Sequence, residues 1–271
     1  MGFFRNNILF NKKTYDNDAI IFFNAVVAAG GALTATERNA VNTYVKNLKS
    51  NSLWTPTLAD YPLVGASAAA HQINLKTPGT FNLTFVNTVA GDHAANGWTP
   101  NGTTSYAKTG IVPSVDLVEN SVAIEFYSRT EQGADVSDIG AANTVPGYLI
   151  MQARVAANNF IFYCYNGTAG QGLVSTANTS SVGSFIGSRV SSTDSRTIKN
   201  GAQVGSTLTS VGGNVPTIEL YLGGYNNNGS VAQISSRQYA GFAIFSGLTV
   251  AQSLLQYNAR QAMNATLGRQ V

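Results

Sequence analysis

Apolar residues recur at two different periods along this chain, and the change falls at about residue 72. Before it the spacing is helical. Between Asp16 and Ala29, Ile20, Phe23 and Val27 return at three- and four-residue steps, and Gly30-Gly31 stop the run. A second helix opens at Thr34, which has capping-box spacing to Glu37 and sets Val41, Tyr44, Val45 and Leu48 on one face. The two helices predict a hairpin whose faces suit packing on each other or on whatever follows. Trp54 and Tyr61-Pro62 are expected to pin the linker to that body.

After residue 72 short alternating segments take over, at 81–86, 121–128, 148–155, 159–165, 184–188, 219–223 and 242–245. Asn-Gly pairs separate many of them, at 101–102, 166–167, 200–201 and 228–229, as tight hairpin turns require. In 121–128, Val122, Ile124 and Phe126 face one way and Ala123, Glu125 and Tyr127 the other, which predicts a half-buried strand with a solvated second face. A last helix starts after Thr249, which has capping-box spacing to Gln252. Its apolar residues are Ala251, Leu254, Leu255, Ala262 and Met263, and Gly268 is placed as a left-handed cap. The expected fold is mainly β: an antiparallel sandwich of jelly-roll type with an N-terminal helical hairpin and a C-terminal helix. The expected division is an arm (1–15), the hairpin and linker (16–70) and the sandwich with its closing helix (71–271).

Only 11% of the residues are charged and the net charge is +3, without a basic run. Phosphate binding needs clustered Lys and Arg, so no nucleic-acid partner is expected. No apolar stretch of about 18 residues exists to span a bilayer, and the opening residues are too polar for a signal peptide, which places synthesis in the cytoplasm. Cys164 has no cysteine to pair with and sits in an apolar run, as a buried small residue would.

The order of strands, hairpin and closing helix reads as that of a binding sandwich and not of an enzyme. A glycosidase needs two facing carboxyls. Here Glu125 is followed by Glu131, with Arg129 where a paired acid is wanted. His71 and His93 each lack a partner at metal-ligand spacing, and no Gly-x-Ser-x-Gly turn is present. A sugar presents an apolar face and a hydroxyl edge, so aromatic rings beside amides are the candidates for a ligand surface: Trp98, Tyr106, Tyr225, Asn226, Asn227 and Asn228. Arg189, Arg196 and Arg237 are expected to bond to neighbouring loop carbonyls or to a protein partner.

Segment 184–249 resembles the concanavalin A-like, laminin-G-like jelly-roll family. The resemblance lies in Lys199-Asn200-Gly201, then Leu220-Tyr221-Leu222-Gly223-Gly224, Gly241-Phe242, and Leu248-Thr249 opening a helix. Over residues 16–271 the chain also resembles tail and other virion proteins of bacteriophages. That likeness is carried by Ser52-Leu53-Trp54, His71-Gln72-Ile73-Asn74-Leu75-Lys76, Val112-Pro113-Ser114, Tyr127-Ser128-Arg129-Thr130 and Leu267-Gly268-Arg269-Gln270-Val271. It implies a non-enzymatic virion protein, a tail or fibre part contacting a glycan or receptor on the host surface. A decoration or adaptor protein with no host ligand is the alternative.

Other virion proteins would be its partners, with copies of itself, three at a fibre tip. Phe3, Phe4, Ile8, Leu9 and Phe10 of the arm would anchor it. The family also allows calcium (Ca2+) at the sandwich rim, where Asp92, Asp135, Asp138 and Asp194 lie in loops. Scattered aspartates are usually turn formers, and no metal or cofactor is expected.

Overall fold

A computed structural model describes residues 15–144, 147–165, 172–209 and 213–271. The first helix, Asn17–Ala28, is capped by Asp16, whose carboxylate accepts from the Asp18 N–H. Gly30 ends it at φ 84°, while Gly31 is there for space: a Cβ would stand 2.9 Å from Val26 Cγ1 and 3.0 Å from Ala70 Cβ. The buried face is Ala19, Phe22, Phe23 and Val26; Ile20 and Val27 are exposed, contrary to the expected face. The helix is apolar on most sides, so its own period does not choose which side turns inward. The second helix, Ala35–Ser50, has the expected capping box and buries Val41, Tyr44, Val45 and Leu48. Glu37 Oε2 accepts from the Thr34 N–H at 2.7 Å and Oε1 from the Gly65 N–H at 2.8 Å, so one capping side chain also fixes the linker.

Two sheets form the sandwich. The first runs in space through Ala202–Leu208, Asp194–Lys199, Gly183–Ser191, Val122–Ser128, Tyr239–Phe245, Gly97–Trp98 and His93–Ala94, with Thr57–Tyr61 also pairing to Tyr239–Phe245. That last strand lies in the stretch expected to be linker. The second sheet runs through Leu173–Ala177, Asn159–Cys164, Gly147–Gln152, Ile139–Thr144, Tyr221–Leu222, Tyr106–Lys108 and Thr84–Val86. A hairpin, Tyr225–Asn227 and Ser230–Ala232, joins it by a parallel pairing to Ile139–Thr144. Two of the Asn-Gly turns are as predicted: Asn200 and Gly201 have φ 50° and 79°, Asn228 and Gly229 have 50° and 91°; at 101–102 only Gly102 has positive φ, and 166–167 lie outside the described residues.

Between the sheets lies one core that includes Trp98, Phe126, Leu149, Phe162, Phe185 and Phe242. The sheets approach closely because Gly187 leaves room for the Phe162 ring, whose Cδ2 would be 2.4 Å from an added Cβ. A second core lies on the far side of the first sheet, where Ala123, Ile186, Ile198, Ala243 and Phe245 meet the three long helices. The helical hairpin therefore packs on its own sandwich, and the first sheet is a middle layer. All of Val122–Ser128 is buried, which corrects the expectation of a solvated face.

The C-terminal helix, Val250–Thr266, has the predicted capping box but not the predicted face. Leu254 is 44% exposed, whereas Ser253, Gln256, Ala259, Arg260, Met263 and Asn264 are buried. Its polar side turns inward because polar groups wait there. Arg260 Nη2 lies 3.1 Å from both oxygens of Asp60 and 3.4 Å from Glu125 Oε2, and all three side chains have no solvent exposure. Tyr44 donates to Asp60 Oδ2 at 2.6 Å, and Gln256 Nε2 donates to Glu125 Oε2 at 2.6 Å. Gly241 gives the guanidinium its space, since a Cβ there would be 2.9 Å from Arg260 Nη1. Beyond the helix Gly268 turns the chain at φ 65°. Arg269 then donates to the carbonyls of Pro62 (2.6 Å), Leu63 (2.8 Å) and Ala240 (3.1 Å).

Candidate functional site

Among the described residues the outward face of the second sheet meets neither the first sheet nor the helices, although Tyr221 and Ile150 on it are only 3% and 6% exposed. Ile139, Ala141, Leu149, Met151, Phe162, Cys164, Leu222 and Ala107 point into the inter-sheet core. Alternation sends their neighbours to the other side. Register then lines up Lys108, Tyr221, Gly140, Ile150 and Tyr163 across adjacent strands. Tyr106 and Tyr148 share this face. Tyr106 and Tyr221 have ring centroids 4.7 Å apart, and Tyr148 and Tyr163 are 5.7 Å apart. Tyr225 lies near enough to Tyr148 for the phenols to interact electrostatically. Five tyrosines thus gather on one side of one sheet.

Their chemistry is that of neutral, amphipathic platforms. Burial, then the neighbouring Tyr106, raises the Tyr221 phenol to about 12. Burial, then Tyr148, raises Tyr163 and Tyr225 as well. All three hydroxyls therefore remain donors at neutral pH. Lys108 Nζ lies 5.8 Å from the centre of the Tyr221 ring. Beside it opens a cleft of about 590 Å³ lined by Lys108, Val112, Ile218, Glu219, Tyr221 and Asn226 among others. Glu219 Oε2 accepts from the Gly110 N–H at 2.9 Å, so the cleft holds one fixed anion beside one cation.

Of the residues singled out from sequence, Tyr106 and Tyr225 belong to this face and are partly exposed. Asn227 and Asn228 are exposed in the adjoining hairpin turn. Asn226 is only 2% exposed, and its carboxamide is used internally: it donates to Glu219 O and accepts from the Gly229 N–H. Trp98 has no exposure and packs against Phe85, Tyr239 and Phe242, so it is a core residue and not a platform. Phe3, Phe4, Ile8, Leu9 and Phe10 lie outside the described residues. Tyr148, Tyr163 and Tyr221 were missed, although they sit in segments read as strands. Parity was the available signal, since each alternates with a core residue of the same strand.

The charged candidates are dispersed or paired. Glu125 lies in the layer beneath the helices, while Glu131 bonds to Ser180 and Ser181 at a loop. Asp138 is buried and held by Arg237 Nη1, at 2.8 Å to each oxygen, and by Tyr239 Oη at 2.5 Å. Arg237 also donates to the carbonyls of Gln132 and Arg154. Asp135 accepts from the Ala156 N–H, Asp92 from the Val89 N–H, and Asp194 pairs with Arg196. Among the described residues no cluster of three or more His, Cys, Asp or Glu could hold a metal ion.

His71 and His93, 22 residues apart in sequence, meet in space: their Nδ1 atoms are 3.0 Å apart, in a buried site. Burial, then His93 and Arg269, holds His71 well below the usual range, and burial lowers His93 too.

No protein-family model and no curated protein matches this chain. Solved structures do. A mutant Trypanosoma rangeli sialidase displaying trans-sialidase activity matches with TM-score 0.52 at 9% identity, over 83% of this chain and 39% of that one. A structure described as showing that cell entry of botulinum neurotoxin type C depends on interaction with two ganglioside molecules matches with TM-score 0.52 at 10% identity, over 78% and 52%. The botulinum neurotoxin serotype D binding domain matches with TM-score 0.51 at 8% identity, over 76% and 51%.

The likeness is one of fold. The chain spans about two-fifths to one-half of the length of these proteins. They include an enzyme, which overturns the expectation that this order of elements does not belong to one: the sandwich occurs in enzyme chains as well as in binding domains. No helix among the described residues is long and apolar enough to cross a membrane.

Proposed function

We propose that this protein recognises carbohydrate through the tyrosine face of its second sheet. One observation carries the reading: Tyr106, Tyr148, Tyr163 and Tyr225, each partly exposed, share the outward face of the second sheet, which among the described residues neither the first sheet nor the helices cover. Phenol rings suit the apolar side of a pyranose, and their hydroxyls suit its edge. The toxin structures of similar fold include one described by its dependence on gangliosides, which agrees with the reading.

The resemblance of its motifs to bacteriophage proteins supports the finer proposal of a tail or fibre component that contacts a host surface glycan. Several copies per particle, three at a fibre tip, would make individually weak sites effective together. A second reading, a decoration or adaptor part of the same particle, draws on a different surface. Ile20 and Val27, seven residues apart on one side of the first helix, are 38% and 67% exposed, an apolar ridge suited to another virion protein.

Two experiments separate these readings. Purified protein on a glycan array should give signals that Tyr106→Ala and Tyr163→Ala abolish without changing the circular dichroism spectrum. Immunogold labelling of phage particles should fall at the tail extremity. Label spread over the head or tube, with an empty array, would favour the decoration reading and refute the recognition one.

A further inference from the structure

The chain has two histidines, and the fold sets them where a proton changes the bonding between them. His71 ends the short helix Ala68–His71, and His93 opens the hairpin of His93–Ala94 with Gly97–Trp98. They are 1% and 5% exposed. Their Nδ1 atoms, 3.0 Å apart, hold one hydrogen between them, so one ring donates and the other accepts. Both Nε2 atoms are buried and have no hydrogen-bond partner among the described residues. Every further proton is therefore badly placed. On the accepting ring it goes to Nδ1 and faces the other ring's N–H. On the donating ring it goes to Nε2, where no acceptor meets it.

The surroundings do little to offset a positive charge. Phe85 stands edge-on to His93, with ring centroids 4.6 Å apart. Arg269, fully buried and bound to carbonyls, adds positive potential at His71. Asp92 is the acid that acts on His93, and its Oδ2 already accepts from the Val89 N–H. Glu37 acts on Arg269, but its oxygens are engaged by the Thr34 and Gly65 N–H groups.

The hairpin that carries His93 is lightly tied. It ends the first sheet and pairs with the rest of it at one position, Trp98 against Tyr239. The contact from Arg269 Nη1 to the Ala95 carbonyl is long, at 3.5 Å. Trp98 itself has no exposure. The other strands of both sheets pair among themselves without this hairpin, and the second core contains none of its residues.

We propose that the His71–His93 pair is an acid-operated latch on this hairpin. At neutral pH the shared hydrogen holds residues 93–98 against the helix at 68–71. Two protons from solvent, one to each ring, break that bond and release the hairpin. Trp98 then meets water while the remaining strands and the three long helices stay folded. An edge element opens at a smaller cost in free energy than the whole molecule.

The test uses the full chain with Trp54→Phe, which leaves Trp98 as the single tryptophan. Its emission, acrylamide quenching and the far-UV circular dichroism are followed from pH 7.5 to pH 4, with both imidazoles titrated by NMR. Trp98 should shift to the red and lose protection below pH 6.5, reversibly, with uptake of about two protons and unchanged dichroism. His71→Gln leaves one titrating ring and a neutral amide that can turn its oxygen to a protonated His93. Trp98 should then stay protected down to pH 4, and His93→Gln, the reciprocal variant, should do the same. The wild-type NMR titration decides even where neither variant folds, since both rings must take up protons over the range in which Trp98 opens.

Exposure of Trp98 that coincides with loss of the dichroism signal would overturn the inference, because the acid response would then be global unfolding. So would a Trp98 transition that both glutamine variants leave in place. Rings that protonate while Trp98 stays protected, or no transition down to pH 4, would overturn it too.

Discussion

Arg260→Met tests the account of the helix-covered layer. Among the described residues the guanidinium is the one cation paired with Asp60 and Glu125, at 3.1 and 3.4 Å, and all three side chains have no solvent exposure. Burial, opposed by Arg260, raises the Asp60 carboxyl to about 6 even with the cation in place. Methionine fills most of the same space, so the cavity cost is small; what remains is two carboxyls without a counter-charge. Removing one partner of a buried ion pair costs about 3–5 kcal/mol. For a chain of this size that corresponds to a fall in Tm on the order of 10 °C.

Urea unfolding followed by tryptophan fluorescence measures it, at pH 7.5 and pH 5. The loss should be largest at pH 7.5 and should shrink at pH 5, where Asp60 takes up a proton and no longer needs the cation. The neutral triple variant Asp60→Asn, Glu125→Gln, Arg260→Met should recover most of the stability. A loss below about 1 kcal/mol at pH 7.5, the range of an exposed pair, would refute the reasoning. So would a loss that does not change with pH.

Gly187→Ala should cost about 1–3 kcal/mol or more, read from the urea midpoint, because the new methyl enters the Phe162 ring from 2.4 Å. Two buried sites, Asp60 and the His71–His93 pair, should give opposite slopes to stability against pH. Asp60 has a folded value above its ordinary 3.8, so its contribution is complete below that value and is lost as pH rises through about 6; Asp60→Asn should remove this falling limb. His71 and His93 have folded values below 6.5, so theirs is present above 6.5 and lost as pH falls. Doubly protonated rings would also set N–H against N–H across 3.0 Å, and His71→Gln should flatten this acid-side loss in the same unfolding series. Tyr163→Ala should leave the unfolding midpoint within about 1 kcal/mol of wild type while abolishing array binding, since its ring is partly exposed on the sheet's outer face.

The chain's local chemistry determined its elements. Thr34 and Glu37, Thr249 and Gln252, Gly30, Asn200-Gly201 and Asn228-Gly229 act on amides and dihedrals a few residues away, and each is used as the sequence indicates. Alternation likewise fixed which residues of a strand share a side. It did not fix which side meets solvent.

Val122–Ser128 looked half-exposed because Glu125 is charged. Only the tertiary structure brings Arg260 and Gln256, more than 130 residues later, over that carboxylate. The same contact turned the polar side of the C-terminal helix inward, against the rule that apolar faces are buried, because buried charges are tolerated where opposite charges and donors meet them. Tyr148, Tyr163 and Tyr221 were visible as residues but not as a face, since their common surface exists only once three separate strands are set in register. Trp98 went the other way: it looked like a loop ring, and pairing to Tyr239 drew it into the core. Period and capping are properties of neighbours in sequence, whereas burial and the assembly of a site depend on which distant segments meet.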